Sequence, residues 1–231
     1  MNKRTRAAAA DRAQSDDKST RQNLLETAGQ IIAEKGFDRA TGKEICDQAR
    51  ANVAAINYYF GGMEGLYHAI LHEAPLKFVS VEAVTAAIAD KHDAKAKLEA
   101  VIGLMVGALT AQEQEQSSWA LRVMAREMIA PSPALEALRQ KQMYPKARIL
   151  KSIVAELMAL PEDHPAVARG CLSLMAPCGF LLICDRGPLK RIFPQLGFTP
   201  DDAPALIRHM VQFTLAGLSA VAADARGELP R

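Results

Sequence analysis

Apolar residues recur at three- and four-residue spacings along most of this chain, the signature of helices that bury one face. The first such stripe is Leu24, Leu25, Ala28, Ile31 and Ile32. Next comes a short helix opened by Thr41, whose hydroxyl and the Glu44 carboxylate have capping-box spacing; Ile45 and Ala49 lie one turn apart on it. Asn52 is a strong N-cap, and Val53, Ile56 and Phe60 follow at helical spacing until Gly61-Gly62 ends the segment. From Met63 the pattern predicts one long helix to about residue 89, then helices over 94–111 and 115–130. Pro131-Ser132-Pro133 breaks the chain. Residues 134–159 continue as helix, with Pro145 expected to kink or split it. After a turn at 160–165, a helix spans 166–185. Gly187-Pro188 leads a short turn to Phe193, and Thr199-Pro200-Asp201-Asp202 caps a last helix to about Ala223.

Two short helices joined by a tight turn make a helix-turn-helix, whose second helix is suited to a DNA major groove. That helix is under ten residues long, so packing must hold it. Its solvent side would be Ala54, Ala55, Asn57, Tyr58 and Tyr59. Small residues let a backbone approach a groove, while amide and phenol groups can bond bases or phosphates. On pattern alone, an ordinary helical corner with surface tyrosines fits equally well.

Composition narrows the class. The chain has 231 residues, 49% hydrophobic but only 5% aromatic, a balance that suits helices better than sheets. Net charge is +2, too small for a general nucleic-acid sponge. Residues 1–62 hold 10 basic against 8 acidic groups, and the first 21 hold 6 against 3. The N-terminus therefore reads as a basic arm, either simply solvated or able to track phosphates beside the helix-turn-helix. No run of eighteen apolar residues is present, so no membrane span and no membrane partner is expected, and no apolar h-region marks a secretory signal. A cytoplasmic protein with reduced thiols follows. Cys46, Cys171, Cys178 and Cys184 form no Cys-x-x-Cys pair; Cys171 and Cys178, seven apart on one helix face, read as small buried hydrophobes, with a thiol sensor as the lesser alternative.

No nucleotide-binding loop, dinucleotide glycine fingerprint or nucleophile elbow is present. His68 and His72, four apart with Glu64 and Glu73 nearby, have metal-capable spacing but read as ordinary surface residues. Neither an enzyme nor a cofactor is implied.

The 41–67 stretch resembles the DNA-binding head of the TetR family of bacterial regulators. The likeness runs from about Thr20 to Leu71 and includes the 24–32 stripe, Lys35-Gly36-Phe37 and Thr41. Residues 52–67 are especially similar to the branch with a CecR-type ligand domain. The resemblance implies an all-α protein: a three-helix helix-turn-helix head and a C-terminal helical domain for effector binding and dimerisation. The expected domains are an arm at 1–18, the head at 19–65 and the helical domain at 66–231. Expected DNA-binding residues are Thr41, Lys43, Arg50, Asn52, Val53, Ala54, Ala55, Asn57, Tyr58, Tyr59 and Met63. Three departures stand out. Arg50 replaces the family's usual turn glycine, and a positive φ there would store roughly 1 kcal/mol of strain. Tyr59 and Met63 stand where histidine and a phosphate-binding lysine are common. Asn57 holds the place of the usual tyrosine, with Tyr58 beside it, so base preference does not transfer.

The last two long helices carry apolar residues over more than one face, so they need cover on more than one side. In the family they form a dimeric four-helix bundle, which implies Leu174, Leu181, Leu206, Met210, Phe213, Gly217 and Leu218 at a homodimer interface. Burial within the monomer is the alternative. Family members sense small molecules in this domain, which implies a small apolar or amphipathic effector among Met105, Trp119, Arg122, Met124, Arg126, Tyr144, Met175 and Cys178; the residues alone favour an ordinary core. The resulting expectation is a homodimeric repressor released from a palindromic operator by its effector. The rivals are a DNA-bound scaffold without an effector, and an enzyme or carrier that has lost DNA binding.

Overall fold

Every regular element is helical among the described residues of the computed structural model, which are 3–111, 119–184 and 186–227, with side chains from Asp17 onward except at 137. The helices are α1 (Lys3–Lys35), α2 (Gly42–Ala49), α3 (Ala55–Phe60), α4 (Met63–Lys77), α5 (Val81–Ile88) and α6 (Ala94–Thr110). They continue as α7 (Trp119–Ile129), α8 (Leu135–Leu138), α9 (Tyr144–Met158), α10 (Pro165–Ile183), α11 (Arg186–Ile192) and α12 (Ala203–Ala225). The chain divides into two compact units, Met1–Ala74 with Trp119–Ala134, and Pro75–Ser118 with Leu135–Arg231.

Unit 1 is built on α1. Leu24, Leu25, Ala28 and Ile32 are essentially fully buried against Ile45, Cys46, Leu66, Ile70 and Leu71. Residues 3–18, expected as an arm, belong to α1 instead. The alanine run at 7–10 and the absence of Gly or Pro favour uninterrupted helix there. A second surprise is α7, expected in the C-terminal domain but packed in unit 1. Gly29 makes this possible: a Cβ there would stand 2.5 Å from the Trp119 ring, so only glycine lets the indole lie on α1. The expected start of this helix at 115–118 lies outside the described residues.

Unit 2 packs α5, α6, α9, α10 and α12 around Leu98, Ile102, Val106, Val154, Met158 and Val167. The long helix expected over 63–89 ends at Lys77 and restarts at Val81, where the Ser80 hydroxyl accepts from Ala83 N (3.0 Å). The break is sealed from a distance. Lys146 Nζ donates to the Val79 carbonyl (2.8 Å), and Gln142 Oε1 accepts from Val81 N (2.8 Å). Burial pulls the Lys146 ammonium below its usual pKa, partly opposed by nearby Glu82. The helix expected over 134–159 is split beside Pro145, as the proline implied. Pro145 sits in the first turn of α9, and the irregularity lies just before it as a π-type turn at Arg139–Met143. The turn expected after Gly187 is the short helix α11. At 199–202 the Asp202 carboxylate faces backward, accepting from Thr199 N (2.9 Å) and Thr199 Oγ1 (2.6 Å).

Although no run of eighteen apolar residues exists, α10 and α12 are long and apolar enough to cross a membrane by length and composition, with mean hydropathies of 1.7 and 1.3. Only 28% and 22% of those windows is buried.

Candidate nucleic-acid interface

The helix-turn-helix is held rigidly from behind. Thr41 Oγ1 accepts from Glu44 N (3.3 Å) to start α2, and the Glu44 carboxylate pairs with Lys35 of α1. Asn23 Nδ2 donates to the Ala49 carbonyl (2.8 Å), tying α1 to the end of α2. Arg50 then turns the chain in the left-handed conformation, φ 53° and ψ 39°, so the arginine does occupy the strained position that the family gives to glycine. Its side chain is exposed.

Asn52 acts before the helix rather than as its N-cap. Its Oδ1 accepts from Ala54 N (2.9 Å), shaping a turn over Val53-Ala54, and α3 begins at Ala55 rather than at Val53. Ile56 is the buried anchor of α3 (4% exposed), and Phe60 packs partly into the same core. Gly61 ends α3 at φ 74°. Gly65 then lets α4 pass close, since a Cβ there would stand 1.8 Å from the Phe60 carbonyl oxygen.

The sequence-derived DNA set divides by exposure. Thr41, Lys43, Arg50, Asn52, Val53, Ala54, Asn57 and Tyr58 are exposed, Tyr58 by 76% and Val53 by 61%. Ala55, Tyr59 and Met63 are half-buried, and Met63 packs toward Gly42. Tyr59 is already engaged, its hydroxyl donating to Asp17 Oδ1 (2.6 Å) of α1; that bond is the main reason its phenol pKa is raised. The rings of Tyr58 and Tyr59 meet edge-on at 4.8 Å, leaving the Tyr58 hydroxyl as the free phenol of the pair. Arg21 lies over the Phe60 ring at 5.0 Å. Asp17, Arg21 and Asn23 were missed by sequence reasoning. The available signal was that 17 and 21 are four apart, one helical turn, bordering the buried stripe.

The expected effector residues are divided between the two units. Trp119, Arg122, Met124 and Arg126 belong to α7 in unit 1, where the Trp119 indole donates to Glu26 Oε2 (2.6 Å). Met105, Tyr144, Met175 and Cys178 belong to unit 2. There Cys178 is core, its thiol pushed up to about 11 by burial, while Tyr144 and Met175 are exposed. The expected interface set also divides. Leu174, Met210 and Leu218 are buried in unit 2, Leu181 and Leu206 are half-buried, and Phe213 (75% exposed) and Gly217 are open to solvent. Phe213, Gly217, Val221, Arg169 and Ser173 line a cleft of about 370 Å³ between α10 and α12. Leu172, Met175, Phe180 and Ile183 add further exposed apolar surface on α10. His68 and His72 are exposed, and the described residues contain no group of three or more His, Cys, Asp or Glu placed to hold a metal.

Residues 24–70 match the family described as bacterial regulatory proteins, tetR family. Residues 94–218 match the C-terminal domain of the HTH-type transcriptional dual regulator CecR. The chain is 38% identical over 55 residues to the probable HTH-type transcriptional regulator YttP of Bacillus subtilis (strain 168). That match spans 24% of this chain and 27% of the relative, about a quarter of each. Among solved structures, the fatty acid degradation regulator FadR of Bacillus halodurans superposes with a TM-score of 0.62 at 15% identity, covering 86% of this chain and 96% of that one. FadR of Bacillus subtilis, solved in complex with stearoyl-CoA, gives 0.61 at 18% identity over 85% and 98%. SCO4454, a TetR-family transcriptional regulator from Streptomyces coelicolor, gives 0.60 at 19% identity over 87% and 97%. At these identities the structural likeness speaks for the fold alone.

Proposed function

From a chain that belongs to the TetR family, in the branch with a CecR-type C-terminal domain, and is thus a DNA-binding transcription regulator and not an enzyme, we infer a homodimeric repressor released from a palindromic operator by a small effector. The observation that carries the reading is the contrast within α3: Ile56 buried, Asn57 and Tyr58 fully presented. Tyr58 and Asn57 read base edges, while Ala54 and Ala55 let the backbone approach the groove. Lys43 and Arg50 take phosphates, and Arg50 supplies the charge missing at Met63. Tyr59 is a supporting residue, because Asp17 already holds its hydroxyl.

What unit 2 leaves uncovered supports dimerisation. Phe213, Val221, Leu172 and Phe180 present apolar surface that a second copy would remove from water. The small residues Gly217, Ala216 and Ala220 are exposed along α12, so two such helices could approach closely. Four helices, α10 and α12 from each copy, would form the bundle. This is a better use of their apolar surface than a membrane, since Arg169, Arg208 and His209 are exposed on the same helices. A cytoplasmic location suits a regulator that works on bacterial DNA.

The effector is placed in unit 2, with a small apolar or amphipathic ligand as its class. The stearoyl-CoA complex of the Bacillus subtilis FadR, a protein of the same fold, supports that chemistry. Ligand binding releases DNA only if the two states differ in affinity for it, and α4, which runs from the helix-turn-helix into Pro75, is one of the three places where the chain passes between the units.

The test is a gel shift with DNA from upstream of the protein's own coding region. Asn57→Ala and Tyr58→Ala should each weaken specific binding by roughly tenfold or more while leaving the melting temperature and dimerisation unchanged. Wild-type affinity in both variants would remove the assignment of the reading face.

A further inference from the structure

Unit 1 contains a cleft that the DNA reading does not use. It has a volume of about 310 Å³, the small end of the range for ligand sites, and shares no residue with the α3 reading face. Its floor is aromatic: Phe37 stacks on the buried Tyr67 with ring centroids 4.5 Å apart. Its wall is the Arg126 guanidinium from α7. That group lies directly over Gly36, where a Cβ would stand 2.7 Å from Nη1 and 3.4 Å from Cζ. Gly36 has φ 88°, so the chain uses a bare, left-handed residue at the seat of the guanidinium.

Among the described residues, no carboxylate forms an ion pair with Arg126. Glu127, next in sequence and 2% exposed, accepts from Tyr67 Oη (2.5 Å), Ser132 N (3.0 Å) and Ser132 Oγ (3.0 Å). Asp38 lines the cleft and is exposed, but makes no ion pair with Arg126 among the described residues. Lys35 is paired with Glu44. Arg39 spends only its Nε, donating to the Lys35 carbonyl (2.9 Å), which leaves its terminal nitrogens available. Two guanidinium groups with open donors thus border an aromatic floor, against the exposed Asp38 carboxylate and the buried Glu127 carboxylate, whose oxygens Tyr67 and Ser132 already engage. A planar guanidinium fork matches the two oxygens of a carboxylate or phosphoryl group.

We propose that this cleft binds a small oxyanion, a carboxylate or phosphoryl group on a compact, partly apolar molecule, with Arg126 as the principal contact and Arg39 as the second. The site is separate from the effector region in unit 2, and occupancy clamps α7 to the α1–α2 link. The proposal goes beyond the regulatory reading and is measured without DNA, so either can fail alone.

The test uses the full-length protein and Trp119, the sole tryptophan, as the reporter of unit 1. Thermal unfolding is followed by Trp119 emission while benzoate, inorganic phosphate or chloride is titrated at constant ionic strength. Benzoate above chloride identifies an organic carboxylate, and phosphate above chloride identifies a phosphoryl group; in either case the rise in melting temperature should saturate. Arg126→Gln should weaken that binding by roughly tenfold or more, Arg126→Lys should keep part of it, and Arg39→Gln should reduce it severalfold. If Arg126→Gln fails to fold by circular dichroism, the other two variants carry the comparison. No saturable effect from either anion, or unchanged affinity in the Arg126 and Arg39 variants, overturns the proposal.

Discussion

Glu127→Gln is a clean perturbation of the unit that carries the helix-turn-helix. The Glu127 carboxylate is buried and accepts three hydrogen bonds, one from Tyr67 on α4 and two from Ser132. Glutamine keeps the shape but offers one oxygen and one amide nitrogen. Ser132 N can only donate, so the oxygen must face Ser132 and the amide must face Tyr67, whose hydroxyl then has to turn its proton elsewhere. Hydrogen bonds to charged groups contribute about 1.5–3 kcal/mol and neutral ones about 0.5–1.5 kcal/mol. Weakening all three by about 1 kcal/mol each gives a loss of roughly 3 kcal/mol, somewhat offset by no longer burying a charge. A net loss of about 2 kcal/mol is expected, or roughly 8 °C in the melting of a unit this size. Urea unfolding followed by Trp119 emission is the assay, because the indole is 4% exposed and lies in the same unit. Pairing the change with Tyr67→Phe in a double-mutant cycle should give coupling near 1 kcal/mol. A loss under about 0.5 kcal/mol, or strictly additive effects, would refute the view that this carboxylate ties α4 to α7.

Alkaline pH should weaken unit 1 through Tyr67, whose pKa is raised well above the usual phenol value, first by burial and then by its bond to Glu127. The unfolded tyrosine ionises near pH 10, so stability holds below about pH 10 and falls above it; Tyr67→Phe should flatten that decline. Arg50→Gly should raise stability by about 1 kcal/mol in urea unfolding, since φ 53° suits glycine, yet should lower the salt slope of DNA binding by about one if Arg50 meets a phosphate. Gly65→Ala places a Cβ 1.8 Å from the Phe60 carbonyl oxygen, so the α3–α4 corner must open and gel shifts should disappear while most helical dichroism remains. Phe213→Asp, at a residue 75% exposed, should leave each copy folded but yield monomers by sedimentation velocity; an unchanged dimer would move the interface elsewhere.

Much of the fold was legible because it rests on local signals. Thr41, Gly61 and the 24–32 stripe mark their elements by capping and period, and the structure keeps all three. The break at 78–80 was not legible, because distant partners seal it, whereas Pro145 announced the irregularity at 139–143. Val79 and Val81 lose their helical bonds but regain partners in Lys146 and Gln142, more than sixty residues away in the chain. The place of α7 was hidden for the same reason. Its sequence reads as one more amphipathic helix among many, and only the bare Gly29 opposite Trp119 shows which surface it needs. The exposure of Asn57 and Tyr58 was readable from the pattern, and the turn that Arg50 makes in the left-handed conformation from the resemblance. The division of the expected effector residues between the two units was not, since a methionine or arginine on a helix carries no sign of which unit it belongs to.

The central claim is that two copies of this chain present two α3 helices to one duplex. A DNase protection experiment on the upstream DNA, with purified protein of known stoichiometry, tests it directly. Two protected half-sites are expected, related by inverted symmetry and centred about 34–36 Å apart, or a multiple of that distance, with two chains bound per site. Protection of a single half-site by one chain, or none at low salt, would contradict it.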